Sequence, residues 1–361
     1  MNKIPVYQPY IGETEKAYVN DCLDSTWISS RGKYIDLFEG AMAEYTGAQH
    51  AIAVFNGTVA LHLALAGLEI GPGDEVIVPD FTYVASTNAV LYVGATPVFV
   101  DVDPGSWNMD MGQVEAKITD RTKAILYTNV YGTPADYTAI QAIAKRHNLL
   151  IVEDAAESLG GTFNGQFSGT LGDVSTYSFF GNKTLTTGEG GMVLTPHADV
   201  AERMRILKNQ GNSPTVRYYH DMLGFNYRMT NIQAAIGYAQ LEKLDEILKR
   251  KRAIQQYYET RLSDLVTFQE VAEGSTSSYW IVAFLTASKA QRDGLMKAMD
   301  QANIETRPFF WPIDRLPFYE EGNYPVSQDI AFRGLNVPSY PGLTEEQLDY
   351  ICNTIQSYFQ A

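Results

Sequence analysis

Cysteine is nearly absent from this chain: its 361 residues carry only Cys22 and Cys352. Two cysteines build no disulfide framework and no cysteine metal site, and both read as small buried apolar residues. Long apolar runs are missing too. None reaches the roughly 18 to 20 residues of a membrane span, and Met1-Asn2-Lys3-Ile4-Pro5 holds no signal-peptide core. No membrane partner is expected, and a cytoplasmic enzyme fits. Basic residues number 27 against 42 acidic ones, a net charge of −15, which argues against nucleic acid. A small anionic substrate stays possible, because a local cluster of Lys, Arg and helix N-termini can oppose the global field. His50, His62, His147, His197 and His220 show no metal spacing and no triad spacing to a serine or cysteine, so no metal is expected. His62, among apolar residues, reads as a satisfied core histidine. Low-complexity segments and internal repeats are absent.

What is present is an alternation. Hydrophobic residues make up 45% of the chain, enough for a large core and two or three domains. Helices are expected at Glu13–Asp24 and Tyr34–Tyr45. Short apolar strands then alternate with helices: strands at 51–54, 75–79, 97–100, 124–127 and 149–152, helices at 59–68, 85–93 and 137–146. Such a pattern marks an α/β fold, a mostly parallel central sheet with helices on both faces. Ligands bind at the carboxyl ends of the strands in such sheets. A long helix is expected from Thr230 to Arg252, its basic end Lys249-Arg250-Lys251-Arg252 a solvated face. Beyond it come a strand at 279–285, a helix at 289–302 and a strand at 304–310. The chain thus divides into a large domain, residues 1–249, and a smaller α+β domain, residues 250–361.

Just past the strand at 149–152 stands Glu153-Asp154-Ala155-Ala156-Glu157. Downstream, Ser178-Phe179-Phe180-Gly181-Asn182-Lys183 precedes Gly188-Glu189-Gly190-Gly191. A lysine in apolar, glycine-rich surroundings is desolvated, which lowers its pKa and makes it a Schiff-base nucleophile. Chemistry on pyridoxal phosphate (PLP) needs such a lysine and an acid against the pyridine nitrogen. Taken alone, Lys183 reads equally as a surface lysine and Asp154 as a helix cap.

Together these three stretches resemble the DegT–StrS family of PLP-dependent sugar-nucleotide aminotransferases. The resemblance covers nearly the whole chain. It extends to Leu23-Asp24-Ser25-Thr26-Trp27-Ile28-Ser29-Ser30, to Asn56-Gly57-Thr58-Val59-Ala60-Leu61-His62-Leu63-Ala64-Leu65 and to Gly224-Phe225-Asn226-Tyr227-Arg228-Met229-Thr230-Asn231. The subgroup it resembles most is that of the GDP-perosamine synthases, enzymes of O-antigen and lipopolysaccharide biosynthesis. The resemblance implies the type I, aspartate-aminotransferase-like PLP fold in a homodimer with shared active sites. It implies that Lys183 carries PLP as a Schiff base and shuttles the proton. Asp154 pairs with the pyridinium, and Glu157 approaches the ring hydroxyl. Gly57, Thr58 and Ser178 cradle the phosphate, Tyr83 stacks on the ring, and Asn226 reaches across the dimer to the phosphate. L-Glutamate is the implied donor and a nucleotide-linked 4-keto-6-deoxy sugar the acceptor.

Two positions depart from the subgroup, whose pattern carries a histidine at Asn129 and another at Asp314. Both are expected to face the sugar, together with Arg31 and Arg307 as partners for a diphosphate; Arg307 reads equally as a structural ion-pair residue. A UDP- or dTDP-linked keto sugar is the alternative substrate. A PLP-dependent dehydratase on the same fold would need a histidine in place of Lys183. A PLP-binding regulator without turnover would need a DNA-binding appendage that this acidic chain lacks.

Overall fold

Residues such as Val76, Ile77 and Val78 leave no polar face in their strand, so both of its sides must be covered. The computed structural model describes residues 3–360. In it these runs form a seven-stranded sheet in the spatial order His50–Val54, Gly191–Thr195, Val174–Ser178, Leu150–Asp154, Thr122–Thr128, Glu75–Pro79, Thr96–Val100. The strand Gly191–Thr195 is antiparallel to both of its neighbours. All the others share one direction, so their carboxyl ends gather at one edge.

Alternate side chains leave a strand on opposite faces. Val76 and Val78 pack with Leu61 and Leu65 of helix Gly57–Gly67, whereas Ile77, Ile125 and Ile151 pack with Ile140 and Ile143 of helix Tyr137–His147. The strand-to-helix turns carry their own caps. Asn56 Oδ1 accepts from the Val59 N–H at 3.0 Å, and Asp136 Oδ1 from Ala139 N–H at 3.2 Å. Each cap satisfies a donor that the first helical turn leaves free.

The C-terminal part holds a second, antiparallel sheet in the order Thr267–Phe268, Val282–Leu285, Gly334–Val337, Arg307–Pro308. Its apolar residues Phe284, Leu335 and Val337 pack with Tyr258 of helix Leu244–Leu262 and Ile351 of helix Glu345–Gln360. Cys22 and Cys352 are both buried and unpaired. His62 is buried and shares a hydrogen with the Tyr227 hydroxyl at 2.7 Å. No helix among the described residues is long and apolar enough to cross a membrane.

Three expectations need correction. The long helix at 230–252 is two helices, Asn231–Glu242 and Leu244–Leu262, broken at Lys243, whose φ of −116° is not helical. The second helix runs on past the basic run because Leu244, Ile247, Leu248, Lys251, Ile254 and Tyr258 form one buried face at helical spacing. The point between residues 249 and 250 therefore lies inside a continuous helix. Lys251 is 1% exposed rather than solvated, and Arg252 donates to the Gly160 carbonyl at 3.1 Å. Finally, the strands expected at 279–285 and 304–310 shorten to Val282–Leu285 and Arg307–Pro308. Tyr279, at φ +50°, turns the chain before the first of these can start.

Candidate active site

The common carboxyl edge of the sheet brings the candidate residues together. Asp154 ends its strand and is 4% exposed. Its Oδ2 accepts from the Ser86 hydroxyl at 2.5 Å and its Oδ1 from the Ala156 N–H at 3.0 Å. Ser86 is itself held by Thr82, 3.1 Å away, and Thr82 by Thr128 at 3.0 Å. Burial pushes the Asp154 carboxyl above the usual range, against the pull of Ser86, Ala156 and the Lys183 charge.

Glu157 stands one turn further on. Its Oε2 accepts from the Tyr131 N–H at 2.8 Å, and its Oε1 lies 3.5 Å from Lys183 Nζ. Burial raises its pKa, and the Lys183 charge opposes that shift. Lys183 has a side chain only 12% exposed. Burial lowers its amine, while Glu157 and Asp154 push it back up. Its Nζ also lies 3.7 Å from the centroid of the Trp280 ring. A desolvated amine beside carboxylates gives up its proton more readily than a solvated lysine does.

Gly57 opens a helix directly opposite Ser178, which ends strand Val174–Ser178. A Cβ on Gly57 would sit 2.7 Å from Ser178 Cβ, so only glycine allows this approach. Gly191 serves the same edge: its Cβ would meet the Asn56 carbonyl oxygen at 2.5 Å. Gly57 and Thr58 thus open a helix beside Ser178, and backbone N–H groups at a helix N-terminus favour an anion.

Tyr83 lies at the mouth, 54% exposed, with its ring 5.5 Å from that of Phe310. Phe310 stacks on Tyr131 and on Trp280, at 5.6 and 6.5 Å. A continuous aromatic wall therefore runs from Tyr83 to the Lys183 amine.

Asn226 is exposed on a segment that is clamped from both sides. Phe55 N–H donates to the Tyr227 carbonyl on one side, and Tyr227 N–H to the Lys208 carbonyl on the other. Asn226 Oδ1 accepts from Arg228 Nη2 at 2.8 Å and Nε at 3.1 Å. Arg31 is exposed and lines a cavity of about 240 Å³ with Arg205, Lys208, Asn209 and Arg228. Arg307 is exposed and paired with Glu305 at 3.2 Å.

Asn129 and Asp314 are both buried. Asn129 is fully buried. Its amide donates to Glu153 Oε1 at 2.8 Å and Ser168 Oγ at 2.6 Å, and its Oδ1 accepts from the Ala135 N–H at 2.9 Å. The amide turns inward because Glu153, itself fully buried, needs donors. Asp314 is 2% exposed, and its backbone N–H donates to Asp80 Oδ1 at 2.8 Å.

Sequence reasoning misses Ser86, Tyr131, Trp280 and Arg228. Ser86 stands three residues beyond Tyr83 in the turn of the helix that faces Asp154, a place where hydroxyls could have been sought. Trp280 carries no local signal.

The described residues fit PLP. The helix N-terminus at Gly57 beside Ser178 suits its phosphate, Asp154 is a buried acid that feels the Lys183 charge, and the Lys183 amine is desolvated with Glu157 at 3.5 Å. Comparison with known proteins agrees. The model of the DegT/DnrJ/EryC1/StrS aminotransferase family matches residues 9–356. The chain is 48% identical to the GDP-perosamine synthase of Escherichia coli O157:H7 and 46% identical to that of Vibrio cholerae, over 99% of each chain in both cases. A sugar aminotransferase of Streptococcus pneumoniae, solved in a PLP form, superposes with a TM-score of 0.93 at 29% identity over 99% of both chains. Its PMP form superposes at 0.94. The fold is the type I PLP-enzyme fold of these aminotransferases, and the chain belongs to the DegT/DnrJ/EryC1/StrS aminotransferase family.

Proposed function

We propose that the protein is a PLP-dependent GDP-perosamine synthase. It transfers the amino group of L-glutamate to C4 of a GDP-linked 4-keto-6-deoxy sugar, as a cytoplasmic homodimer with shared active sites. The observation that carries the chemistry is the Lys183 amine, desolvated between Glu157 at 3.5 Å and the Trp280 face at 3.7 Å. The relatives named GDP-perosamine synthase, at 46 to 48% identity, support the substrate.

When bound, PLP supplies an electron sink for the charge that builds up at the substrate carbon. The chain does the rest. Gly57, Thr58 and Ser178 hold the phosphate. Asp154, fixed by Ser86 and Ala156, keeps a proton on the pyridine nitrogen. The Lys183 amine takes the proton from the amino-acid Cα and returns it on the neighbouring side. Glu157, anchored by the Tyr131 N–H, holds that amine in place. One site serves both half-reactions, so 2-oxoglutarate leaves before the keto sugar enters.

Asn129 and Asp314 were the residues that set this chain apart from the subgroup. Asn129 is engaged by Glu153, Ser168 and Ala135, and the support for the GDP-linked substrate is the identity to the GDP-perosamine synthases. The test is a panel of GDP-, UDP- and dTDP-linked keto sugars with glutamate, read by mass spectrometry and by the ratio of kcat/KM. A tenfold or greater preference for a non-GDP sugar, about 1.4 kcal/mol, would overturn the perosamine reading and leave the aminotransferase reading standing. No amino sugar from any of them would overturn both.

A further inference from the structure

Lys251 is a lysine with no carboxylate partner among the described residues. It sits 1% exposed on helix Leu244–Leu262. Its Nζ donates to the Trp280 carbonyl at 2.8 Å and to the Ser339 carbonyl at 3.4 Å, and lies 5.2 Å over the Tyr7 ring. A cation buried this way is costly, and burial pushes its amine down to about 7. Such an arrangement needs a reason.

Two of the residues that Lys251 touches, Trp280 and Tyr7, also touch Lys183. The Tyr7 hydroxyl donates to the Lys183 carbonyl at 2.7 Å. Trp280 donates its indole N–H to the neighbouring Asn182 carbonyl at 2.7 Å and lays its ring face 3.7 Å from Lys183 Nζ. The indole is fixed on its flanks by Tyr131, stacked at 12°, and by Phe310, at 18°. Lys251, Trp280 and Lys183 are far apart in sequence and form one contact path.

We propose that Trp280 is a catalytic residue whose indole face seats the Lys183 ammonium whenever that amine is unbonded, and that Lys251 is the positioning residue that fixes the indole. The inference rests on the aminotransferase reading. Its chemistry follows from what surrounds the amine. Glu157 and Asp154 are the charged groups that face Lys183, and either would hold an ammonium as an ion pair. A carboxylate can also take the proton. A π face attracts the cation but accepts no proton. Trp280 therefore steadies the charged amine without competing for the hydrogen that Lys183 has to deliver.

The experiment uses the PLP-loaded enzyme with Trp280→Leu, Trp280→Phe and Lys251→Met. Besides kcat and KM, it reads, on protein stripped of cofactor, the pH midpoint of the rate at which added PLP forms its visible band, which reports the free Lys183 amine because only the neutral amine attacks. Loss of the π face removes a stabiliser of the protonated Lys183 nitrogen. Trp280→Leu should therefore lower the midpoint by about 0.5 to 1 unit, and kcat should fall about tenfold with the glutamate KM little changed. Trp280→Phe, which keeps a weaker face, should shift the midpoint less and in the same direction. Lys251→Met should shift it downward too, and should add nothing in the Trp280→Leu background, because the two act through one contact. Should Trp280→Leu not fold, the Trp280→Phe shift decides. Midpoints equal to wild type in the folded variants, with only thermal stability reduced, would make Trp280 a packing residue and overturn the proposal. Additive shifts from Lys251 and Trp280 would remove Lys251 from the path. A wild-type protein that forms no visible band with PLP would instead sink the aminotransferase reading itself.

Discussion

The Ser86 hydroxyl donates to Asp154 Oδ2 at 2.5 Å and is itself within 3.1 Å of Thr82. The acid that would face the cofactor nitrogen ends a strand and is thus aimed by the first turn of helix Ala85–Tyr92. Asp154→Asn should cripple turnover by a few kcal/mol, as loss of a preorganised charge does, while the protein still binds PLP through the helix N-terminus at Gly57 and Ser178. Ser86→Ala leaves Asp154 one donor short and should cost about 1 kcal/mol, or roughly fivefold in kcat. Both are read by kcat and by cofactor retained after gel filtration. Unchanged kcat in Asp154→Asn would leave that residue only its bond to the Ala156 N–H in the turn that follows the strand.

Lys183→Ala should abolish turnover, since no other described amine lies between Glu157 and Trp280. PLP should still be retained through its phosphate at the Gly57 helix N-terminus, now without covalent attachment, and borohydride should no longer fix it to the chain. Near-wild-type turnover without an added amine would remove Lys183 from its role.

A second carboxylate pair governs stability. Asp80 Oδ1 accepts the Asp314 N–H, while Asp80 Oδ2 and Asp314 Oδ1 are buried without partners. Burial, with the nearby charges of Asp314 and Asp101, lifts the Asp80 carboxyl to about 7. An acid whose folded pKa exceeds its unfolded value near 3.8 binds more protons when folded. Its contribution is greatest below the unfolded pKa, declines as pH rises, and is lost by about 7. Asp80→Asn, which supplies a permanent donor, should make the protein more stable at pH 8 by about 1 to 3 kcal/mol. The drop in Tm between pH 5.5 and 8 should shrink in the variant. An identical drop in both proteins would show that the folded-state titration of Asp80 does not fall between pH 5.5 and 8 and would overturn this account.

Much of this site is legible in the sequence because its chemistry is local. Asp154 ends an apolar strand, Lys183 lies between a strand and a glycine cluster, and Gly57 sits in a strand-to-helix turn. These positions follow from alternation and turn residues, which short windows record. What stays hidden depends on contacts between distant segments. Nothing near Trp280 tells that its ring will cover Lys183. The run Lys249-Arg250-Lys251-Arg252 looks solvated, and only the packing of helix Leu244–Leu262 against the second sheet reveals that Lys251 points inward. Asn129 fails for a related reason. An amide at a strand end can turn toward a ligand or toward the interior, and the buried Glu153 that draws it inward lies on the neighbouring strand.

Asn226 carries the last prediction. Arg228 holds its side chain by two hydrogen bonds at the surface, and the preceding loop exposes Tyr218 at 82% and Leu223 at 91%. Large apolar side chains so open to water suit a surface that a second copy covers. If Asn226 serves the partner's site, Asn226→Ala and Lys183→Ala should each be impaired, and mixing them should restore activity. In a mixed dimer one site has the intact Lys183 of one chain and the intact Asn226 of the other, while the second site carries both lesions. Random exchange makes half of the dimers mixed, so about one quarter of all sites should be intact. Activity near a quarter of wild type after verified subunit exchange is the expected result. No rescue, or an Asn226→Ala protein as active as wild type, would place Asn226 outside the catalytic site of the partner.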